Sequence, residues 1–374
     1  MNENLKIKDY PYKIQETLYQ RFEEKNNMIY RRLWDKSLST YRQMFQKNIN
    51  MHINSGKAGY SRFDFSAVKA GWTVYEKFPF AFAWKGDDAD NADYGTSWTN
   101  SRYQVKNINK FSKKIKGLTR FYGASLVGIA DVDKKWIYRT GFVRPEFSSE
   151  SNAKEDIRSG AVEDTLLRNE IELPEDINKA IVIGIEMHKG AISTAPAQQA
   201  AAAASIAYSK MAFVISCLGE FIRNMGYKAL QCGNDTALSV PLAIDAGLGG
   251  LGRIGILVTP EYGPRVRIAK VFTDMPLKAD RPNKKFINKL KTFCKNCTKC
   301  AKACEVDAIP KKDPTWRRES ISNNSGALKY YVDVEKCFEF WVKNSSDCGK
   351  CIAACPFSKI NKKDSASNFW GELV

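Results

Sequence analysis

Cys294-Lys-Asn-Cys297-Thr-Lys-Cys300-Ala-Lys-Ala-Cys304, followed by Cys337 and then Cys348-Gly-Lys-Cys351-Ile-Ala-Ala-Cys355-Pro356, is the stretch on which the reading of this chain turns. The first run reads C-x2-C-x2-C-x3-C and the second C-x10-C-x2-C-x3-C-P, the ligand spacing of a protein holding two [4Fe–4S] clusters. A cubane needs four thiolates converging on its corners, and three from one tight loop plus one from a distant run satisfy that. In the bacterial ferredoxin arrangement the fourth cysteine of each run serves the other cluster. That arrangement groups Cys294, Cys297, Cys300 and Cys355 around one cluster, and Cys337, Cys348, Cys351 and Cys304 around the second. Zinc would be satisfied by two C-x2-C knuckles and would leave Cys300, Cys304 and their partners unused. Disulfide scaffolds spread their cysteines along a short secreted chain, whereas here the long stretch before Cys294 holds only Cys217 and Cys232, which read as buried thiols. Glu305 stands where the first run would ordinarily have proline.

The chain has 374 residues and a formal charge of +17, so its surface attracts something acidic: nucleic acid, anionic lipid or an acidic redox partner. Lys284, Lys285, Lys289 and Lys291 belong to a dispersed set of basic residues without a long basic block or a nucleic-acid motif. A solvated basic face is the preferred reading. No stretch reaches the eighteen apolar residues of a membrane span, and residues 1–30 contain no apolar signal segment. Arg31-Arg32 is followed by Leu33-Trp34-Asp35-Lys36 rather than by an apolar run, and reads as a chance pair. A cytoplasmic protein and a chain whose leader has been removed both fit.

Upstream of the cysteines the pattern divides in two. Residues 1–110 form an aromatic-rich unit, with Trp72, Tyr75, Phe78, Phe80, Phe82 and Trp84 either filling a core or walling an apolar pocket. Residues 111–283 read as a core of strands and helices, and 284–374 as the cluster module. The runs 124–130 and 180–185 have strand length, and 148–165 is polar and loop-like. Within the segment from Pro196 to Met225, Tyr208, Met211, Ile215, Leu218 and Ile222 fall on one face of a helix. The small residues Ala200 to Ala204 and Ser205 invite close approach by a backbone or by a flat ligand. Gly247-Leu-Gly249-Gly250-Leu-Gly252 matches G-x-G-x-x-G literally. A dinucleotide site needs a strand before the glycines and a helix after them, and here a helix over 240–246 precedes and a strand over 254–259 follows. With only His52 and His188 present, a histidine-rich metal site is excluded. Tyr208, Asn234 and Arg267 are the polar residues set among apolar or small neighbours.

With these residues in view, the chain resembles the corrinoid-dependent reductive dehalogenases. The likeness covers Ala70-Gly-Trp-Thr73, Gly123 to Ala130, Thr194-Ala-Pro196, Tyr208 to Met211, Ser239-Val240, Ala246 to Gly249, Thr259 to Pro264, Lys270 to Leu277 and both cysteine runs with the long gap after Cys337. It implies an α+β fold: a nitroreductase-like α/β core binding a base-off corrinoid of the cobalamin type, and a C-terminal ferredoxin-like module carrying two [4Fe–4S] clusters. No D-x-H-x-x-G cobalt-ligand motif occurs. Carried over, the family's active-site Tyr, Asn and Arg fall on Tyr208, Asn234 and Arg267, and Gly247, Gly249, Gly250 and Gly252 become a backbone cradle for the nucleotide tail.

The activity implied is R–X + 2e⁻ + H⁺ → R–H + X⁻ on a small organohalide, with a chlorinated alkane or alkene as the expected class. Tyr208 would be the proton donor, because phenols, with an ordinary pKa of about 10, are protonated at neutral pH. Asn234 would orient the substrate or halide, and Arg267 would stabilise the phenolate. A low-potential electron donor, a small membrane anchor protein at the outer face of the cytoplasmic membrane and a homodimer are the partners the resemblance admits, with no nucleic acid. Epoxyqueuosine reductase, a tRNA-acting relative with the same cofactors, is the alternative. It carries a helical-repeat segment after its clusters, whereas only nineteen residues (374 − 355) follow Cys355 here, and its proton donor is an Asp. An electron-transfer ferredoxin with an extended domain would leave the core without a function.

Overall fold

The computed structural model describes residues 7–9, 11–43, 48–77, 102–142 and 167–360. Phe78, Phe80, Phe82, Trp84 and the segment 148–165 lie outside them. The core is a four-stranded sheet of β1 (Leu126–Asp131), β2 (Lys179–Glu186), β3 (Ala229–Cys232) and β4 (Val266–Thr273), in the order β1-β2-β4-β3. Every pairing in it is antiparallel. Successive side chains leave a strand on opposite faces. Ile181, Ile183 and Ile185 of β2 accordingly join one apolar cluster, while Ala180 and Val182 join another. Both faces are covered, so the strand reads as a continuous apolar run even though its neighbours are antiparallel.

One face is covered by α2 (Ile108–Phe121) and α3 (Gln198–Asn224), the other by α4 (Ser239–Asp245). Helix α3 reaches the length and mean hydropathy, 1.5, of a membrane span, against the sequence expectation, but 67% of its most apolar window is buried inside the fold. It is a core helix. Its small residues let α1 (Arg62–Gly71) lie against it. A Cβ on Gly71 would stand 2.1 Å from Ser205 Oγ, and Ser209 Oγ donates to the Gly71 carbonyl at 2.5 Å. Close backbone approach by a helix is therefore what the small residues serve.

The amino-terminal residues share their apolar contacts with the rest of the chain. Tyr12, Ile14 and Phe22 enter the sheet's second cluster, Tyr75 enters the first, and Met28 and Leu38 pack with Phe338 and Val342 of the cysteine module. Arg31 fastens the two parts together from a buried position, with Nε 2.8 Å from Asp35 Oδ2 and Nη1 2.5 Å from Glu335 Oε1. The module itself is built from α5 (Lys284–Asn296), α6 (Val334–Asn344) and the short turns Lys299–Lys302 and Lys350–Ala353, which carry the cysteines. Asn283 and Asp333 cap α5 and α6 through their side chains, satisfying amides the first turn leaves unpaired.

Candidate active site

The eight cysteines gather in two groups. Cys294, Cys297, Cys300 and Cys355 line one pocket together with Gly252, Arg253, Phe293, Pro356 and Phe357. The last cysteine of the second run has thus crossed to the first. Cys304 is an electrostatic neighbour of Cys337, Cys348 and Cys351, and Cys351 also feels Cys300 of the first group, so the two groups adjoin. Burial, reinforced by neighbouring thiols, pushes Cys300 and Cys355 up to about 11 and Cys337 to about 12. Among the described residues no three His, Cys, Asp or Glu side chains converge as a single-ion site. Thiolates on one tetrahedral zinc ion would bring their sulfurs within about 4 Å of each other, and those around a cubane stand wider. The donor set fits iron–sulfur clusters. Glu305, the departure from the usual proline, pairs with Lys350 and so ties the end of the first run to the second.

Arg253 organises the first group. It is 2% exposed and donates to the carbonyls of Cys294 (2.7 Å), Lys295, Cys297, Pro310 (2.8 Å) and Lys312. The ring of Tyr330 lies 4.0 Å from its guanidinium carbon. The loop that presents it is the G-x-G-x-x-G stretch. Helix α4 precedes these glycines and a short hairpin, Gly250–Leu251 with Leu257–Val258, takes in Gly250 and follows. At Gly247, Gly249, Gly250 and Gly252 the place a side chain would take is already filled by the protein. A Cβ would meet the Arg281 carbonyl at 2.8 Å from Gly247, the Val258 carbonyl at 2.2 Å from Gly249, Leu290 at 3.0 Å from Gly250 and Val258 at 2.7 Å from Gly252. The smallness of these residues is consumed inside the protein.

Tyr208, Asn234 and Arg267 come from three separate elements and meet. Tyr208 projects from α3. Arg267 lies on the face of β4 that also carries Ala269 and Val271 toward that helix. Asn234 sits in the loop after β3. Asn234 Nδ2 donates to the Tyr208 hydroxyl at 2.9 Å, and the guanidinium carbon of Arg267 is 5.0 Å from the Tyr208 ring centre. Trp72 stacks on Tyr208 with centroids 4.7 Å apart, and Tyr75 meets it edge-on at 5.1 Å. Tyr208 is half-buried and Asn234 exposed, so the hydroxyl is reachable from outside.

Residues without a role in the sequence reading hold this group in place. Lys270, 0% exposed, donates to the carbonyls of Gly233 (2.5 Å), Asp235 (2.7 Å) and Ala237 (3.1 Å), and it reaches Ser239 Oγ. The Tyr138 hydroxyl donates to the Asn234 carbonyl at 3.0 Å. A lysine inside the apolar run of β4 was the available signal, since a buried ammonium must find acceptors. Asp347, next to Cys348, stands 3.5 Å from Arg267 and links the site to the cluster module. The same seam holds buried polar atoms without a protein partner: Arg267 Nε, Gln198 Oε1 and Ser345 Oγ. Such orphans fit the amide-rich periphery of a corrinoid.

A family model described as "Reductive dehalogenase subunit" matches residues 125–277, and one described as "4Fe-4S dicluster domain" matches 293–359. The chain is 34% identical over 312 residues to a tetrachloroethene reductive dehalogenase of Sulfurospirillum multivorans, covering 78% of this chain and 60% of that protein. It is 35% identical over 305 residues to one of Dehalobacter restrictus, covering 75% of this chain and 53% of the relative. A solved catabolic reductive dehalogenase, in complex with 3-bromo-4-hydroxybenzoic acid, superposes with a TM-score of 0.67 at 20% identity, covering 97% of this chain and 45% of that one. That likeness speaks for the fold.

The chain belongs to the reductive dehalogenase family. It spans between about half and three fifths of the length of these curated relatives. The extent of the match does not favour the tRNA-acting alternative.

Proposed function

We propose that this chain carries the catalytic centre of a reductive dehalogenase that replaces a carbon–halogen bond of a small organohalide, a chlorinated alkane or alkene, by a carbon–hydrogen bond. The observation that carries the reading is the Tyr208 hydroxyl, held by Asn234 under Arg267 at the seam beside the thiol groups. In this reading a nitroreductase-like core would hold a base-off corrinoid, which would supply low-potential cobalt chemistry, and the two cysteine groups would hold two [4Fe–4S] clusters, which would supply single electrons. Gln198, Ser345 and Arg267 are the residues offered to the corrinoid's polar edge.

The chain's own part is the proton. Asn234 donates its amide hydrogen to the phenolic oxygen, which leaves the phenol's own hydrogen free to point at substrate. When that proton goes to the substrate carbon, the amide and the guanidinium over the ring both stabilise the phenolate. The stacked Trp72 limits rotation of the ring and makes an apolar wall that excludes water from one side. The halide leaves as X⁻, and Tyr208 is reprotonated from solvent. For the whole protein, a peripheral position on the outer face of the cytoplasmic membrane with a small anchor protein is part of the proposal, supported by the family alone.

The test is cobalt and iron analysis of anaerobically purified protein together with a reduced-viologen assay on chlorinated methanes, ethanes and ethenes. One cobalt, about eight irons and halide release are expected. Tyr208→Phe should keep the metals and lose turnover; an active Tyr208→Phe would remove the phenol from the proton-donor role. Iron without corrinoid after reconstitution would end the reading.

A further inference from the structure

From Lys284 to Cys304 the chain carries seven lysines, Lys284, Lys285, Lys289, Lys291, Lys295, Lys299 and Lys302, and no Asp or Glu. All seven are exposed. Helix α5 explains the placement: Ile287 and Leu290 bury its inner face against the hairpin at Gly250, so every lysine of the helix is turned to solvent. Lys295 lies between Cys294 and Cys297, and Lys299 precedes Cys300, so the same positive surface rims the pocket of the first thiol group. At its centre stand apolar groups. Phe293 is 39% exposed and packs edge-on to Phe357, with the exposed Pro356 beside them. Among the described residues none of Lys284, Lys285, Lys289, Lys295, Lys299 or Lys302 is paired with a carboxylate; Lys291 donates to the Pro11 carbonyl.

We propose that this face is the docking surface for an acidic one-electron carrier protein, which delivers electrons to the cluster held by Cys294, Cys297, Cys300 and Cys355. The inference rests on the iron–sulfur reading above. A charged rim around an apolar centre is the anatomy of a protein–protein contact, and a uniform positive field accelerates encounter with a negative partner by about 10- to 1000-fold at low salt. A lipid surface would use the charge but not the opening onto a redox group. Electron transfer uses both, because it falls steeply with distance and the rim brings a partner to the nearest thiols.

The experiment uses the holoprotein, a reduced acidic ferredoxin as probe and the bleaching of iron–sulfur absorbance in a stopped-flow instrument. The test variant combines Lys289→Glu, Lys295→Glu and Lys299→Glu. A control variant carries Lys113→Glu and Lys114→Glu, exposed on α2 and outside the pocket. The wild-type rate with ferredoxin should fall as salt rises, and the triple variant should lose at least about tenfold at low salt. The control variant should lose little, and reduction by viologen should be the same in all three. An unchanged ferredoxin rate in the triple variant, or an equal loss in the control, overturns the proposal. So does loss of binding to vesicles containing anionic lipid with the ferredoxin rate intact, which would make the face a membrane surface. A wild-type protein that viologen cannot bleach would refute the cluster reading itself.

Discussion

Arg253→Met removes the guanidinium that joins the first cysteine loop to the segment at 310–312. Methionine keeps the apolar stem and roughly the volume, so the perturbation falls on the polar contacts. Five carbonyl oxygens lose their donor. A hydrogen bond to a charged group is worth about 1.5–3 kcal/mol, but the contributions do not add, since some carbonyls will recruit water. A buried carbonyl left without its donor costs about 1–3 kcal/mol, so two of the five remaining dry cost about 4 kcal/mol. Taking about 4 kcal/mol, and a factor of ten for each 1.4 kcal/mol, the loop carrying Cys294 and Cys297 opens about a thousand times more often. The assay is anaerobic release of iron to a chelator. Wild-type protein should release slowly, whereas the variant should lose one half of its iron well ahead of the other. Arg253→Lys should fall between them, because an ammonium cannot span both segments as the planar fork does. Release at the wild-type rate from Arg253→Met would refute the argument.

Cys355→Ser should strip the cluster of the first run although Cys355 belongs to the second, lowering iron from about eight to about four per chain, and Cys304→Ser should do the converse; iron analysis with EPR of the reduced protein distinguishes them. Lys270→Met leaves three buried carbonyls without their donor and should lower stability by at least about 1–3 kcal/mol, the cost of one buried acceptor left unsatisfied, read from the urea midpoint. Burial raises the Asp245 carboxyl from 3.8 to about 6, against the donors Trp136 Nε1 and the Tyr12 hydroxyl. The folded state then binds more protons than the unfolded one between about pH 4 and 6, so this group's contribution to stability is present below that window and is lost, by about 3 kcal/mol, as pH rises through it. Asp245→Asn should flatten that slope in unfolding measurements made across the window.

The cysteine runs were legible because their information is local: C-x2-C-x2-C places three thiols on one loop whatever the rest of the chain does. The crossing of Cys355 to the first group was available from the spacing rule, and the shared pocket agrees with it. The apolar face of α3 was equally readable from its period. The glycine stretch was less legible, because a sequence shows that a residue is small but not what occupies the space it leaves. Here Val258, Arg281 and Leu290 occupy it.

Spacing and period were the sequence's share: the two cysteine runs, the helix carrying Tyr208 and, through resemblance, the family. What only the tertiary structure decided was the meeting of groups distant in sequence. Tyr208, Asn234 and Arg267 form one site because β4 pairs with β2 in the register Arg267↔Ile185 and because Lys270, three residues along the same strand, holds the Asn234 loop from the opposite face. Alternation along a strand sends Arg267 to α3 and Lys270 to the loop. Which partners wait on each side is a property of packing, and no single stretch of the chain contains it.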